Sequence, residues 1–430
     1  MKKFLATAVL VWTLQFAFAA EPETIAIVGA KAYITPGIEP TVNATIIIRG
    51  GRVEAAGSGL PIPAGAQVIH ADGKIVTPGL MNSGTELGLV ESGSDDTTDR
   101  AVSSGPIGAA FDVQYALNPN STLFPLARAD GLTRAVTLPS ASAGAPFTGL
   151  GAVLRLSEGA EILDRPRAAM FAVTGGMAAS QVRGSRSAQW ILLRNALDET
   201  LRYVKLGPAE RAEPGRNQLL NRMNLEALVP VVEGKVPLAI TAFRESDIRQ
   251  GIKLAEDYKL RVVICGADEG WRVADLLAAH KIPVVLNPFA DIPATFDQIG
   301  ARADNAALLA RAGVVISFSV PGVHYSHNAG LVVREAAGIA VANGLTWNQA
   351  LKAVTVNPAA TWDISNHYGT LEPGRDADLV IWDGDPFEPV SAPEVVFVRG
   401  KRVSLQTRQI ELQERYSPQH ANDPWPPAYR

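Results

Sequence analysis

Residues 369–386 read GTLEPGRDADLVIWDGDP, a turn-rich segment that continues into an apolar run. Residues 376–382 within it have the alternation and β-branched content of a strand, and residues 395–398 and 402–405 follow with the same character. Arg399-Gly400-Lys401 supplies a turn between the last two runs. The C-terminal part of the chain is therefore predicted to be rich in β-strands.

The N-terminal part has the same character. Residues 24–28 (TIAIV) and 44–48 (ATIII) are predicted to be strands. Gly50-Gly51, between Ile48 and Val53, is a two-residue hairpin signal. The two ends of the chain thus share a strand-rich pattern that the middle lacks.

Between the two ends, short apolar runs alternate with stretches of helical spacing. The predicted buried strands are residues 133–138, 168–173, 237–240, 261–265, 283–286 and 314–318, and the predicted helices include 246–258, 271–280, 305–312 and 331–343. Such alternation is typical of a (β/α)8 barrel, with an open doubly wound sheet as the alternative. No Gly-x-Gly-x-x-Gly follows an early strand, so the sequence gives no support for dinucleotide binding.

Composition limits the kind of partner. The chain has 430 residues, of which 47% are hydrophobic, with 43 acidic and 39 basic side chains. It is long enough to bury a large core, and no run of one charge points to nucleic acid or to an anionic membrane. We therefore expect a small-molecule ligand or substrate; protein partners and oligomeric state are not predicted.

The first residues resemble an export signal. Lys2 and Lys3 precede an apolar run that ends near Ala19, which is shorter than the roughly 20 residues needed to span a bilayer. Ala17-Phe18-Ala19 fits a small-x-small cleavage site. We expect residues 1–19 to be removed and the mature protein to be exported, with a periplasmic location; an uncleaved anchor is the alternative.

Cys265 is the only cysteine, so no intrachain disulfide can form. It lies in the apolar run of residues 261–266, and a lone cysteine in such a run is more often an apolar core residue than a nucleophile. We predict that Cys265 belongs to the core.

The order of these segments resembles the amidohydrolase superfamily, in particular its imidazolonepropionase-like branch. The resemblance rests on residues 75–80 (IVTPGL), 344–360 (GLTWNQALKAVTVNPAA) and 369–386. It implies an α/β fold with a TIM-like barrel over residues 77–366 and a small β-sandwich built from residues 20–76 and 367–410, followed by a tail over 411–430. It also implies hydrolysis of non-peptide carbon–nitrogen bonds, in cyclic amides or N-acyl compounds, with zinc or a similar divalent metal.

The positions that match the family's metal ligands carry other residues. The family's Asp-x-His-x-His falls on Asn82, Ser83, Gly84, Thr85 and Glu86. Positions i and i+2 of a strand point the same way, so the two histidines would face one ion, but here they are Gly84 and Glu86. A single carboxylate offers little affinity for zinc.

The remaining ligand positions are also changed. The strand-five His falls on Thr241, the strand-six His near Cys265 or Gly266, and the strand-eight Asp on Val320 or Pro321. We therefore predict that the mature protein holds no metal at this site.

Polar residues that remain near the expected barrel mouth are weak candidates for a site. Glu86, His324 and His327 are candidate catalytic residues and, as an alternative, a relocated metal site, although loop histidines are more often solvated or hydrogen-bonded. Asp95, Asp96 and Asp99 lie in the loop after the first barrel strand. Arg244 and Thr241 are candidate substrate-binding residues, and Arg244 with Asp247 is expected to order a helix entrance.

Two functions are compatible with this pattern. The first is a hydrolase for carbon–nitrogen bonds with a rebuilt site that lacks the usual ligands. The second is a non-catalytic periplasmic ligand-binding or scaffold protein on the same barrel. Convergence of Glu86, His324 and His327 would favour the first, and a filled or apolar mouth would favour the second.

Overall fold

A computed structural model describes residues 23–92, 99–102, 105–140, 146–176, 185–212, 219–320, 322 and 326–417. The predicted export signal, residues 1–19, lies outside these described residues. Within them, no helix has the length and apolar character needed to cross a bilayer.

The described chain is mixed α/β. The strands are β1 (Thr24–Ala32), β2 (Thr41–Arg49), β3 (Arg52–Ser58), β4 (Gln67–His70), β5 (Ile75–Pro78), β6 (Leu80–Thr85), β7 (Leu132–Thr137), β8 (Phe147–Arg155), β9 (Leu163–Val173), β10 (Leu238–Ala242), β11 (Val262–Gly266), β12 (Val284–Leu286), β13 (Ile316–Phe318), β14 (Leu379–Trp382), β15 (Pro393–Val398) and β16 (Lys401–Arg402). The helices are α1 (Leu123–Ala129), α2 (Arg186–Lys205), α3 (Pro208–Ala212), α4 (Arg222–Val232), α5 (Glu245–Tyr258), α6 (Ala274–Ala279), α7 (Asn305–Arg311), α8 (Ala329–Ala342), α9 (Trp347–Ala353), α10 (Val356–Thr361) and α11 (Arg408–Tyr416). Helix α11 crosses the boundary at residue 410 that the sequence suggests for the tail.

Strands from both termini form one sheet. Its order is β16-β15-β14-β5-β1-β2-β3, with β4 paired to β1. Strand β14 joins the two ends of the chain by pairing antiparallel with β5, so that Val380 lies opposite Thr77. The predicted association of the two termini is confirmed. The two-layer sandwich and the domain boundaries at residues 76/77 and 366/367 stay predictions.

The second sheet is a nearly closed barrel of eight described strands in the order β6 to β13. Its first and last strands also approach each other. Outward-facing apolar residues pack against the surrounding helices, whereas Met81, Val136, Ala239, Val263 and Val285 form a separate inner cluster. Side chains thus fill the lower part of the barrel, as in TIM-like barrels.

One strand departs from the (β/α)8 pattern. Strand β8 is antiparallel to both β7 and β9, whereas the other described neighbours are parallel. The sequence analysis predicted no strand at residues 147–155, where β8 lies. Gly149 and Gly151 hide the strand signal, and both are required: a Cβ atom at Gly149 would lie 2.5 Å from Phe111 O, and one at Gly151 2.5 Å from Phe171 Cε2.

A buried charge cluster joins the barrel to the terminal sheet, and it explains the Asp-Ala-Asp of the opening stretch. Arg134 on β7 is fully buried and binds Asp164 at 3.1 Å, Asp376 at 3.1 Å and Asp378. Its guanidinium lies over the ring of Tyr368, 5.1 Å from the centroid. Burial alone would raise the pKa of Asp164, but a hydrogen bond with His367 and the charge of Arg134 outweigh it and lower the pKa to about 2.

Candidate functional site

The parallel barrel strands end at one rim, which is where TIM-like barrels place their sites. Glu86 directly follows β6, Thr241 lies near the end of β10, Cys265 near the end of β11, and Val320 just beyond β13. The predicted ligand positions of the described chain are therefore all at this mouth.

The first ligand position, Gly84, has little room for a side chain. A Cβ atom there would lie 3.1 Å from Ser319 Cβ and 3.2 Å from Leu138 Cδ2. Contacts in this range are tighter than most Cβ contacts in proteins. Leu138 and Ser319 thus occupy the space that a histidine at position 84 would need.

Glu86, the second ligand position, is committed to the surrounding loops. Its side chain is buried and accepts hydrogen bonds from Ser140 Oγ at 2.6 Å and Arg100 Nη1 at 3.1 Å. Its backbone N–H donates to Ser326 Oγ at 2.9 Å. Glu86 therefore ties the loops after β6, β7 and β13 together, and the carboxylate is neutralised by Arg100.

Thr241 and Cys265 are neighbours in register across β10 and β11. Both are partly exposed, and Cys265 borders the inner cluster of the barrel. Protein atoms surround the thiol, and this burial raises its pKa to about 12. The prediction of a core cysteine holds in part, because Cys265 is an inert thiol that keeps some accessible surface inside the barrel.

The remaining sequence candidates are not brought together where they are described. His327 contacts Glu91 O through Nε2 at 3.3 Å, and Asp99 is exposed. His324, Asp95, Asp96 and Pro321 lie outside the described residues. In the part of the chain that is described, no three His, Cys, Asp or Glu side chains are placed to hold a metal ion.

Arg244 belongs to a cluster of four charged residues at the mouth. We call Arg186, Arg244, Asp247 and Asp297 the mouth ion cluster. Arg244 Nε lies 3.1 Å from Asp247 Oδ2 and 3.9 Å from Asp297 Oδ1, and Arg186 forms an ion pair with Asp297. Asp247 lies in the first turn of α5, so Arg244 and Asp247 occur at the helix entrance where the sequence suggested them.

Sequence reasoning missed Asp268, a buried carboxyl group in the loop after β11. Burial raises its pKa to about 6, against a hydrogen bond from Gln298 that lowers it. Gln298 is held in turn by Thr295 Oγ1, which donates to its Oε1 at 3.2 Å. The only signal in the sequence was an Asp-Glu pair directly after a buried strand, and the partner Gln298 is not adjacent in sequence.

Comparison with known proteins agrees with this architecture. Residues 260–407 match the amidohydrolase family. The chain is 23% identical over 399 residues to the amidohydrolase tasK of Hapsidospora irregularis, covering 83% of this chain and 39% of that protein. A 48-residue segment is 54% identical to an imidazolonepropionase of Sphingopyxis alaskensis, covering 11% of this chain and 12% of that protein.

The chain is similar to proteins of the amidohydrolase superfamily. The fold agrees with a solved amidohydrolase from Thermotoga maritima, with a TM-score of 0.79 and 24% identity over 88% of this chain and 99% of that one. The chain spans less than half the length of the curated relatives that it matches. Similarity of this kind shows the fold and does not fix the activity or the substrate.

Proposed function

We propose that this protein is a hydrolase of the amidohydrolase type for non-peptide carbon–nitrogen bonds, in cyclic amides or N-acyl compounds, and that it works without the family's metal. The proposal that no metal is used rests on one observation, namely which side chains occupy the ligand positions at the barrel mouth. Gly84, Thr241 and Val320 offer no imidazole or carboxylate, and Glu86 is already neutralised by Arg100.

The residues at the mouth do not fit a catalytic zinc ion. Such an ion needs about three nitrogen, sulfur or carboxylate ligands within about 2.3 Å. Cys265 alone would supply one ligand, and Ser319 Cβ and Leu138 Cδ2 lie 3.1 Å and 3.2 Å from the position of a Cβ atom at Gly84. The proposed reaction therefore does not involve a metal ion.

Asp268, in the loop after β11, is a carboxyl group at the mouth that is suited to exchange a proton with a substrate. A group with a pKa of about 6 is populated in both protonation states near neutral pH, which general acid–base catalysis requires. The hydrogen bond from Gln298 fixes its orientation. At this rim, the ionised carboxylate of Asp268 would accept a proton from the water that attacks the carbonyl carbon, and the resulting acid would give that proton to the leaving nitrogen as the carbon–nitrogen bond breaks.

Hydrolysis of a panel of cyclic amides and N-acylated amino acids tests the proposal. We expect turnover that EDTA does not reduce and that Asp268→Asn lowers by about 100-fold or more. Asp275→Asn is the matched control, because Asp275 is exposed on α6 in the same segment. Turnover that requires one equivalent of zinc, or that Asp268→Asn leaves unchanged, would contradict the proposal.

A non-catalytic binding role is the second candidate, and one observation favours it. Leu138 and Ser319 fill the mouth beside Gly84, and Glu86 contacts Arg100 and Ser140 instead of His327. A chain that binds members of the same panel and hydrolyses none of them would have this second function.

We also propose that the protein acts on a small molecule after export, with no nucleic acid or membrane partner. The near balance of acidic and basic side chains supports a small-molecule substrate and argues against a nucleic acid or membrane partner. Lys2-Lys3, the apolar run after them and the Ala17-Phe18-Ala19 cleavage site support export. N-terminal sequencing of protein from the exported fraction should begin within a few residues of Ala20. A chain that begins at Met1 in the cytosol would contradict export.

A further inference from the structure

The mouth ion cluster has the construction of a carboxylate-binding site. Its members follow three barrel strands: Arg186 begins α2 after β9, Arg244 follows β10, and Asp297 lies in the loop after β12. Because these strands are parallel, their C-terminal ends bring the three loops to the same side of the mouth.

The Asp297 carboxylate is held on both oxygens. Arg186 Nη2 donates to Oδ1, Arg244 Nε lies 3.9 Å from the same oxygen, and the backbone N–H of Gly176 donates to Oδ2. Two guanidinium groups and a backbone amide around one carboxylate form the arrangement that proteins use for anionic ligands.

Two glycines make room for this carboxylate. A Cβ atom at Gly175 would lie 2.8 Å from Asp297 Oδ2, and one at Gly176 would lie 3.0 Å from it. Gly175 also has a φ of +101°, which a side chain would disfavour. The backbone here is shaped to approach an anion closely.

Asp297 does not occupy the whole hydrogen-bonding surface of the two arginines. The side chains of Arg186 and Arg244 are 33% and 32% exposed, whereas that of Asp297 is 7% exposed, so each arginine keeps a face open at the mouth. Among the described residues, Arg186 Nε has no hydrogen-bond partner although it is buried. Asp247 Oδ2 lies 3.8 Å from it. The two arginines therefore retain unused capacity for an anion.

The loop that carries Asp297 has apolar residues on its outer side. Phe296 and Ile299 are 88% and 64% exposed, while Asp297 and Gln298 between them bind Arg186 and Asp268. Phe296 and Ile299 make little apolar contact, so the position of this loop depends on its polar contacts, and a ligand would replace only those of Asp297.

We propose that Arg186, Arg244 and the Gly175-Gly176 backbone bind the carboxylate of a small anionic ligand, and that Asp297 occupies this site from its own loop until the ligand displaces it. This inference rests on the proposed function and narrows its substrates to N-acyl or cyclic amide compounds that carry a carboxylate. Asp297 acts as an internal competitor. Removing it leaves a cation excess and an empty carboxylate-sized space.

Binding of N-acetylglycine to the mature protein tests the proposal, with N-acetylglycinamide as the neutral probe of the same shape. By calorimetry at constant ionic strength, Asp297→Ala should bind N-acetylglycine at least tenfold more tightly than the unchanged protein and should not gain affinity for the amide. Adding Arg186→Gln should abolish the gain. Asp291→Ala, an exposed position on the same loop, is the matched control and should behave as the unchanged protein.

Circular dichroism and thermal melting verify that each variant is folded, and Asp297→Ser, which also removes the charge and shortens the side chain, replaces Asp297→Ala if the latter does not fold. Equal N-acetylglycine affinity in the Asp297 and Asp291 variants would overturn the proposal. An equal gain for the neutral amide would overturn it as well. Binding is measured without turnover, so an inactive protein that binds as expected contradicts only the proposed hydrolysis.

Discussion

Gly84, at the end of the first barrel strand, faces Ser319 beyond the last one, and a Cβ atom at position 84 would lie 3.1 Å from Ser319 Cβ. These positions belong to the rim where the superfamily resemblance places the first and last metal ligands. Thr241 and Cys265, near the ends of β10 and β11, are partly exposed.

Adding the missing histidine should therefore destabilise the fold. Gly84→His must displace Leu138 or Ser319, and overpacking of this kind costs about 1–3 kcal/mol. Urea denaturation measures the change. Gly57→Ala is the control, because the nearest atom to a Cβ there is Leu60 Cδ1 at 3.9 Å, and it should change stability by less than about 1 kcal/mol. An unchanged midpoint for Gly84→His would show that the mouth has room.

The purified mature protein should hold far less than one equivalent of zinc, and EDTA should leave its thermal midpoint unchanged. A metal that binds only the folded state stabilises it by several kcal/mol when the ion is well above its dissociation constant, so removal of a real site would lower the midpoint. Elemental analysis after dialysis and melting with and without chelator are the measurements. One bound equivalent would make Glu86, His324 and His327 the first ligands to test.

The parts of the fold that the sequence predicted are those with local signals. Strands β10 to β13 are nearly continuous apolar runs, and the β2–β3 hairpin is marked by Gly50-Gly51. Strand β8 was missed because its glycines resemble a loop, although close contacts with Phe111 and Phe171 require them.

The candidate site was less predictable because its partners are far apart in sequence. Asp268 depends on Gln298, and Asp297 depends on Arg186, which precedes it by 111 residues. Sequence reasoning identified Arg244 from the family-like segment after β10, but it could not show that Asp297 lies within 3.9 Å of that arginine. Asp297 and Arg244 are close because the barrel places their loops side by side, and the sequence of either loop alone does not show this.

Arg134 should be among the most costly positions to change. Arg134→Met leaves Asp164, Asp376 and Asp378 buried without their cation, and breaking a buried pair in this way costs about 3–5 kcal/mol. Arg49→Met is the matched control, since Arg49 pairs with Glu54 on the surface and should contribute about 1 kcal/mol or less. Similar urea midpoints for the two variants would contradict a stabilising role for the buried cluster.

The same cluster predicts how stability depends on pH. The pKa of Asp164 is lowered from 3.8 to about 2 in the folded state, so the unfolded chain binds a proton more readily between these values. The stabilisation is fully present above about pH 4 and is lost as pH falls towards 2. A shift of this size corresponds to about 2 kcal/mol.

Asp164→Asn should therefore lower the free energy of unfolding at pH 7, and its difference from the unchanged protein should shrink by about that amount between pH 5 and pH 2. A difference that stays constant over this range would show that the ionised form of Asp164 is not what His367 and Arg134 stabilise.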